Sequence, residues 1–518
     1  MAASWWQSGV VYQIYPRSFA DASGDGIGDL EGIRSRLDHL VWLGVDAIWL
    51  SPIYRSPMAD FGYDVSDYCD VDPVFGSLAD LDRLVADAHE RGIRIVLDWV
   101  PNHTSDRHPW FSDPTKRDWY VWRDGVNGGP PNGWAANFVE PARWEREPAT
   151  GELRRRSDDT GAVDHTGTAW TYDEASGQWY LHLFLPEQPD LDWNNIEVEA
   201  AMHQVLRFWL DRGVDGFRAD VVHMIGKDVA PERMATIPQS TIGHGDEVHE
   251  LLRRIRTLVD GYDGDRMMVG EVFILDPARM ATFYGHNDEL HLSFNFLPLF
   301  TRWRADRWRR QVEILEEHVT RDVGWPTWVL SNHDVVRHAD RYGSEARARA
   351  AAVLLLTLRG TPFMYAGEEL GLVDAIIPPE RVVDPGGRDG CRAPIPWTRA
   401  DGHGWPDDPW LPFVADAAGR SLEAQRADPT SILHLYRALL AARKASPALH
   451  DGDLMLLDAP EGVLAWERTA GDDVRRIAVN FTPDEHPFAA DGWTVEVGTH
   501  ERFAGVLRPD EAVVLKPA

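Results

Sequence analysis

"VDGFRADVVHM", residues 214–224, begins as a short apolar run and then presents an arginine and an acid, Arg218 and Asp220. Residues i and i+2 of a strand share a face, so a strand here aims a guanidinium and a carboxylate the same way from its tip. Just before it, "VEAAMHQVLRFWLDRG" (198–213) has the apolar spacing of a helix. A helix feeding a short strand is one step of an alternating α/β chain.

The step recurs on both sides. Strand candidates are "VVYQIYP" (10–16), "VDAIWLSP" (45–52), "IRIVLDWVPNH" (93–103), "MMVGEV" (267–272), "LHLSFNF" (290–296), "TWVLSNHD" (327–334) and "TPFMYAGEE" (361–369). Between them, "EGIRSRLDHLVWLG" (31–44) puts Ile33, Leu37, Leu40 and Val41 at helical spacing. "LADLDRLVADAHERG" (78–92) puts Leu78, Leu81, Leu84, Val85 and Ala88 on one face. With 214–220 these make eight strands, mostly followed by helices, and predict a (β/α)8 TIM barrel over 1–103 and 191–448. The alternation stops over 104–190, rich in Pro, Gly, Asp and Trp, which predicts an inserted irregular domain after the third strand. From 449, "LMLLDAP", "VLAWERT", "RRIAVNFT", "WTVEVG" and "EAVVLKP" predict a C-terminal all-β domain, a small sandwich over 449–518.

A chain of 518 residues has room for such a barrel and extra modules. Its net charge of −31 argues against nucleic acid and against an anionic membrane as partners. Two distant cysteines, Cys69 and Cys391, imply neither a disulfide framework nor a cysteine metal site. The start of the chain has no basic and apolar leader pattern, and no run of about 20 apolar residues occurs, so the expectation is a cytoplasmic protein. A monomer or homodimer is expected.

Three acids sit at predicted strand ends: Asp220, Glu271 and Asp334. In a barrel these ends converge on the face where active sites are built. Paired carboxylates of this kind serve glycoside hydrolysis, one attacking the anomeric carbon while the other protonates the leaving oxygen. Arg218 beside Asp220 favours the ionised form there, and Glu271, with no basic neighbour within two residues, suits a raised pKa and an acid/base role.

The segments "DWVPNH" (98–103), "GFRADVVH" (216–223), "GEVF" (270–273) and "SNHD" (331–334) resemble, in order, the motifs of the α-amylase superfamily, glycoside hydrolase family 13. "QPDLDW" (188–193) and "RAPIPW" (392–397) resemble its oligo-1,6-glucosidase and α-glucosidase branch. The resemblance implies a retaining exo-acting α-glucosidase of short α-glucosides, with α-1,4 or α-1,6 linkage open. Asp220 is then the nucleophile, Glu271 the acid/base and Asp334 the stabiliser of the oxocarbenium-like transition state. Asp60 and an arginine fork at Arg392 grip the terminal glucose, Tyr63 lies beneath its ring, and His103 and His333 donate to its hydroxyls. Arg218 belongs to the same substrate site, and Phe138, Phe184 and Gln188 match positions near the entrance. Valine after the nucleophile, here Val221, goes with α-1,6 preference in such relatives. The polar stretch 139–167 exceeds what close relatives carry and is expected to border the acceptor side.

"DASGDGIGD" (21–29) places oxygen donors Asp21, Ser23, Asp25 and Asp29 around Gly26, with the Ile27 carbonyl at the seventh position. Gly32 stands where an EF-hand has its bidentate Glu, so this is not a full EF-hand. The resemblance implies a structural Ca²⁺ or Mg²⁺ here and no organic cofactor. Two alternatives share parts of this reading. A transglucosidase or sucrose isomerase uses the same intermediate with another acceptor, and a non-catalytic amylase-like scaffold uses the fold alone.

Overall fold

β1 (Val11–Ile14), β2 (Ala47–Leu50), β3 (Arg94–Trp99), β4 (Gly216–Ala219), β5 (Met267–Gly270), β6 (Leu292–Ser293), β7 (Thr327–Val329) and β8 (Thr361–Tyr365) form one eight-stranded sheet. The structure is a computed structural model, and it describes residues 4–137, 144–146, 153–155, 167–234, 239, 245–500 and 502–518. The strand order is 6-5-4-3-2-1-8-7 and every pairing is parallel. Thr327 bridges the seam between β6 and β7. Its hydroxyl donates to the Ser293 carbonyl at 2.9 Å and accepts from the Asn295 N–H at 3.0 Å. The sheet thereby closes into a barrel.

Alternation within each strand sorts two cores. Ala47, Trp49, Val96, Met267, Val269 and Phe363 pack inside the barrel. Ile48, Leu50, Ile95, Leu97, Phe217 and Met268 face the helices. Strands buried on both faces read as unbroken apolar runs, which is why these eight were visible in the sequence. Around them lie helices such as α1 (Leu37–Leu43), α2 (Leu78–Glu90) and α3 (Ile196–Asp211). On α2, Leu81, Leu84, Val85 and Ala88 are buried, and Ser77 caps the start in a capping box with Asp80. The helix expected over 31–44 is broken at Arg36, and Val41, expected on its apolar face, is exposed.

The excursion after β3 is not structureless. Trp122–Arg123, Trp170–Asp173 and Gln178–Leu181 form an antiparallel sheet, and Trp144–Arg146 pairs with Leu153–Arg155. These strands are only partly buried, so unlike those of the barrel they do not read as apolar runs. Bridges His103–Asp190 and Tyr120–Leu191 tie its beginning to its end beside β3. Toward the C-terminus, Asp453–Leu457, Val463–Ala470, Asp473–Asn480, Ala512–Pro517 and Trp493–Gly498 make a five-stranded antiparallel sheet. No described helix is long and apolar enough to cross a membrane.

Candidate active site

Arg218 lies opposite Asp98 in the β3–β4 register, so both side chains leave the sheet on one face. Its Nη1 donates to Asp98 Oδ1 at 2.8 Å and to Asp220 Oδ1 at 2.6 Å. Its Nη2 donates to Glu271 Oε2. One buried guanidinium therefore gathers acids from the ends of β3, β4 and β5. Asp98 opens the "DWVPNH" motif but had no assigned role in the sequence, and the register shows what it does.

The other Asp98 oxygen accepts from Trp49 Nε1 at 3.2 Å and from the Tyr63 hydroxyl at 3.1 Å. Tyr63 OH lies 2.6 Å from His333 Nε2, and Gln13 Nε2 lies 2.8 Å from His333 Nδ1. Since the hydroxyl gives its proton to Asp98, it accepts from His333 Nε2–H, and Nδ1 accepts from the Gln13 amide. Tyr63 and His333 stack at 5.4 Å with 4° between their rings. Burial pushes His333 down to about 3, so it is neutral at pH 7.

The far wall is built from Arg388. Nη2 donates to Asp60 Oδ1 at 2.5 Å, Nη1 to Asp334 Oδ1 at 3.1 Å, and Nε to Asp384 Oδ2 at 2.9 Å. Arg388 lines the cleft together with Asp60, Tyr63, Asp220, Glu271 and Asp334. Arg392, expected to grip the terminal glucose together with Asp60, does not line the cleft and does not touch Asp60. It is wholly buried, with Nε on the His333 carbonyl at 2.8 Å, Nη1 on Asp384 at 3.2 Å and Nη2 on Asp334 at 3.3 Å. The 3₁₀ turn Asp389–Arg392 separates the two arginines and turns Arg388, not Arg392, onto Asp60.

Electrostatics correct the sequence argument about Asp220. Burial pushes its carboxyl well up, Arg218 pulls it back, and Glu271 and Asp98 push it up again. Arg218 touches Glu271 as well as Asp220, so sequence neighbours misassigned the cation to one acid. Asp334 differs. Burial raises it, but His333, Arg388 and Arg392 outweigh burial and hold it well below the usual carboxylate range.

His103 lines the cleft against Phe184, with rings 5.1 Å apart, and burial lowers it to about 4. Gln188, expected near the entrance, is fully buried and braces Asp60 Oδ2 at 3.1 Å from behind. Val221 lines the cleft beside Asp220. Phe138 and most of the 139–167 stretch lie outside the described residues.

In the 21–29 loop, Asp21 Oδ1 and Oδ2 accept N–H bonds from Gly24 at 2.7 Å and Gly26 at 2.9 Å. Asp29 accepts from Ala22, Ser23 and Gly32, and Asp25 from Ile27. Carboxylates and a carbonyl are the hard donors Ca²⁺ takes. Here the carboxylates turn to their own backbone, and no three acidic, His or Cys side chains among the described residues are grouped as an ion requires.

The model of the alpha amylase catalytic domain matches residues 13–452. The chain belongs to the alpha-amylase family. It is similar to a probable alpha-glucosidase of Rhizobium meliloti, 38% identical over 96% of this chain and 95% of that protein. An oligo-1,6-glucosidase of Parageobacillus thermoglucosidasius is 35% identical over 93% of this chain and 91% of its own. Among solved structures, the alpha-glucosyl transfer enzyme XgtA matches with a TM-score of 0.87 and 37% identity over the whole of both chains. The trehalulose synthase MutB of Pseudomonas mesoacidophila MX-45 matches with a TM-score of 0.87 and 31% identity, again over both chains in full. The alpha-amylase domain spans the barrel and the excursion after β3, which brings Gln188 against Asp60 and Phe184 against His103.

Proposed function

We propose that this chain is a retaining, exo-acting α-glucosidase that hydrolyses short α-glucosides through a covalent glucosyl–aspartate intermediate. The observation that carries it is the Arg218 guanidinium joined to both Asp220 and Glu271 in a cleft walled by Asp60 and Arg388. Asp220 attacks the anomeric carbon as Glu271 gives its proton to the departing glycosidic oxygen. Glu271, now ionised, takes a proton from water, whose oxygen displaces Asp220 and restores the α configuration. Asp334, held ionised by its cations, stabilises the positive charge developing on the sugar.

Asp60 and Arg388 accept and donate to the hydroxyls of the terminal glucose, and the wall they form favours removal of one sugar at a time. Tyr63 supplies the ring platform, its orientation set by the stack on His333. Val221 in the cleft and the oligo-1,6-glucosidase relatives support α-1,6 over α-1,4 preference. A structural Ca²⁺ or Mg²⁺ in the 21–29 loop would be held by Asp21, Ser23, Asp25, the Ile27 carbonyl and Asp29 only if the carboxylates turned away from the backbone N–H groups they now accept from.

Maltose, isomaltose, sucrose and trehalose, each followed by product identification, test the reading. Release of α-glucose from isomaltose, faster than from maltose, is the expected result. Quantitative conversion of sucrose to an isomer instead assigns the intermediate to a sugar acceptor, and no release or transfer from any of them removes the reading.

A further inference from the structure

The three residues after Asp220 close on Gly270 and Glu271. Val221 has φ 33° and ψ 40°, a left-handed conformation that a β-branched residue rarely adopts. Its N–H lies 3.3 Å from Glu271 Oε2. Val222 packs over Gly270, where an added Cβ would lie 2.9 Å from Val222 Cγ1 and 2.4 Å from Leu290 Cδ1. The buried His223 ring places Nδ1 at 3.2 Å from the Glu271 carbonyl oxygen. A carbonyl only accepts, so this contact selects the Nδ1–H tautomer.

The contact matters because β5 ends at Gly270. Glu271 N–H still donates to the Ala219 carbonyl at 2.8 Å, but the chain beyond leaves the sheet. The carbonyl of Glu271 is therefore anchored by a side chain rather than by a strand neighbour.

We propose that the 221–223 turn sets where the Glu271 carboxyl points, with His223 as its positioning residue. The inference rests on the glucosidase reading above. In the first step the Asp220–C1 bond forms, the C1–O bond breaks, and the Glu271 proton passes to the leaving sugar oxygen. Swinging Glu271 away by removing the His223 N–H impairs that proton transfer. A leaving group that departs as an anion, such as fluoride, needs the proton far less.

The test measures kcat/KM on isomaltose and on α-glucosyl fluoride for wild type, His223→Leu, His223→Ala and His223→Asn. The ratio of the two values cancels the fraction of folded enzyme, and either of the first two variants suffices to remove the N–H. Asparagine keeps an N–H near the Nδ1 position. Leu and Ala are expected to lose about tenfold more on isomaltose than on the fluoride, a part of the roughly 10²–10⁴-fold that general acid catalysis supplies. Asn is expected to return the ratio toward wild type. Equal losses on both substrates, or no recovery with Asn, overturn the positioning role. Wild type inactive on both substrates overturns the glucosidase reading instead.

Discussion

Replacing Arg388 by lysine separates the clamp arginine from its neighbour. The guanidinium spans Asp60 at 2.5 Å, Asp334 at 3.1 Å and Asp384 at 2.9 Å. An ammonium is a single point charge and cannot hold that fork. Arg392 continues to hold Asp384 at 3.2 Å and Asp334 at 3.3 Å. The loss therefore falls on Asp60, which keeps the Gln188 amide at 3.1 Å but no guanidinium. One charge-assisted hydrogen bond is worth about 1.5–3 kcal/mol. Expressed in the transition state, that is about 10- to 150-fold in kcat/KM. The assay is kcat/KM on isomaltose, normalised by active-site titration so that unfolded enzyme does not count. Arg392→Lys is the comparison. It is expected to lower the thermal midpoint while leaving the Asp60–Arg388 contact, and so to cost less per active site. Arg388→Lys within about threefold of wild type, well short of one such bond, or Arg392→Lys costing more, refutes the clamp.

Acid stability follows from the buried histidines. His103 and His333 are pushed to about 4 and about 3, below the roughly 6.5 of the unfolded chain. Between those values the unfolded state binds more protons, so stability is full above about pH 6.5 and falls as pH drops toward 4 and then 3. Thermal midpoints from pH 7.5 to 4 are expected to decline, and His103→Gln to flatten the decline; an unchanged slope in the variant counts against a neutral buried His103. Val221→Thr is expected to shift the isomaltose-to-maltose preference toward maltose by about 1–3 kcal/mol, read as a ratio of kcat/KM values; an unchanged ratio removes Val221 from linkage choice. Millimolar Ca²⁺ against EDTA is expected to raise the thermal midpoint by about 2 °C or more with kcat unchanged, whereas identical midpoints mean that the N–H bonds to Asp21 and Asp29 hold the loop unaided.

Much of the barrel was legible because its strands are buried on both faces and short helices with clear stripes separate them. The apolar runs around 47–50, 94–99 and 267–270 needed no tertiary information. The sheet within the excursion was hidden, since its strands are only partly buried and carry no apolar run. The site residues divide in the same way. Asp220 and Glu271 stand directly after β4 and β5, where a sequence pattern can find them. Asp98 stands in a quoted motif, but its pairing with Arg218 becomes visible only once β3 is laid against β4 in register. Arg388 and Arg392 are four apart in a loop with no period, and nothing local tells which one turns to Asp60. The charge argument misfired for the same reason: Arg218 is two residues from Asp220 in sequence, yet in space it reaches Glu271 too.

Chemical trapping of the intermediate decides the mechanism most directly. Incubation with 5-fluoro-α-glucosyl fluoride, followed by quenching, proteolysis and mass spectrometry, locates any sugar left on the protein. An ester on the peptide carrying Asp220, absent from Asp220→Asn, is the predicted outcome. Turnover of the reagent with no adduct, or an adduct on Glu271 or another side chain, contradicts the assignment of attack to Asp220.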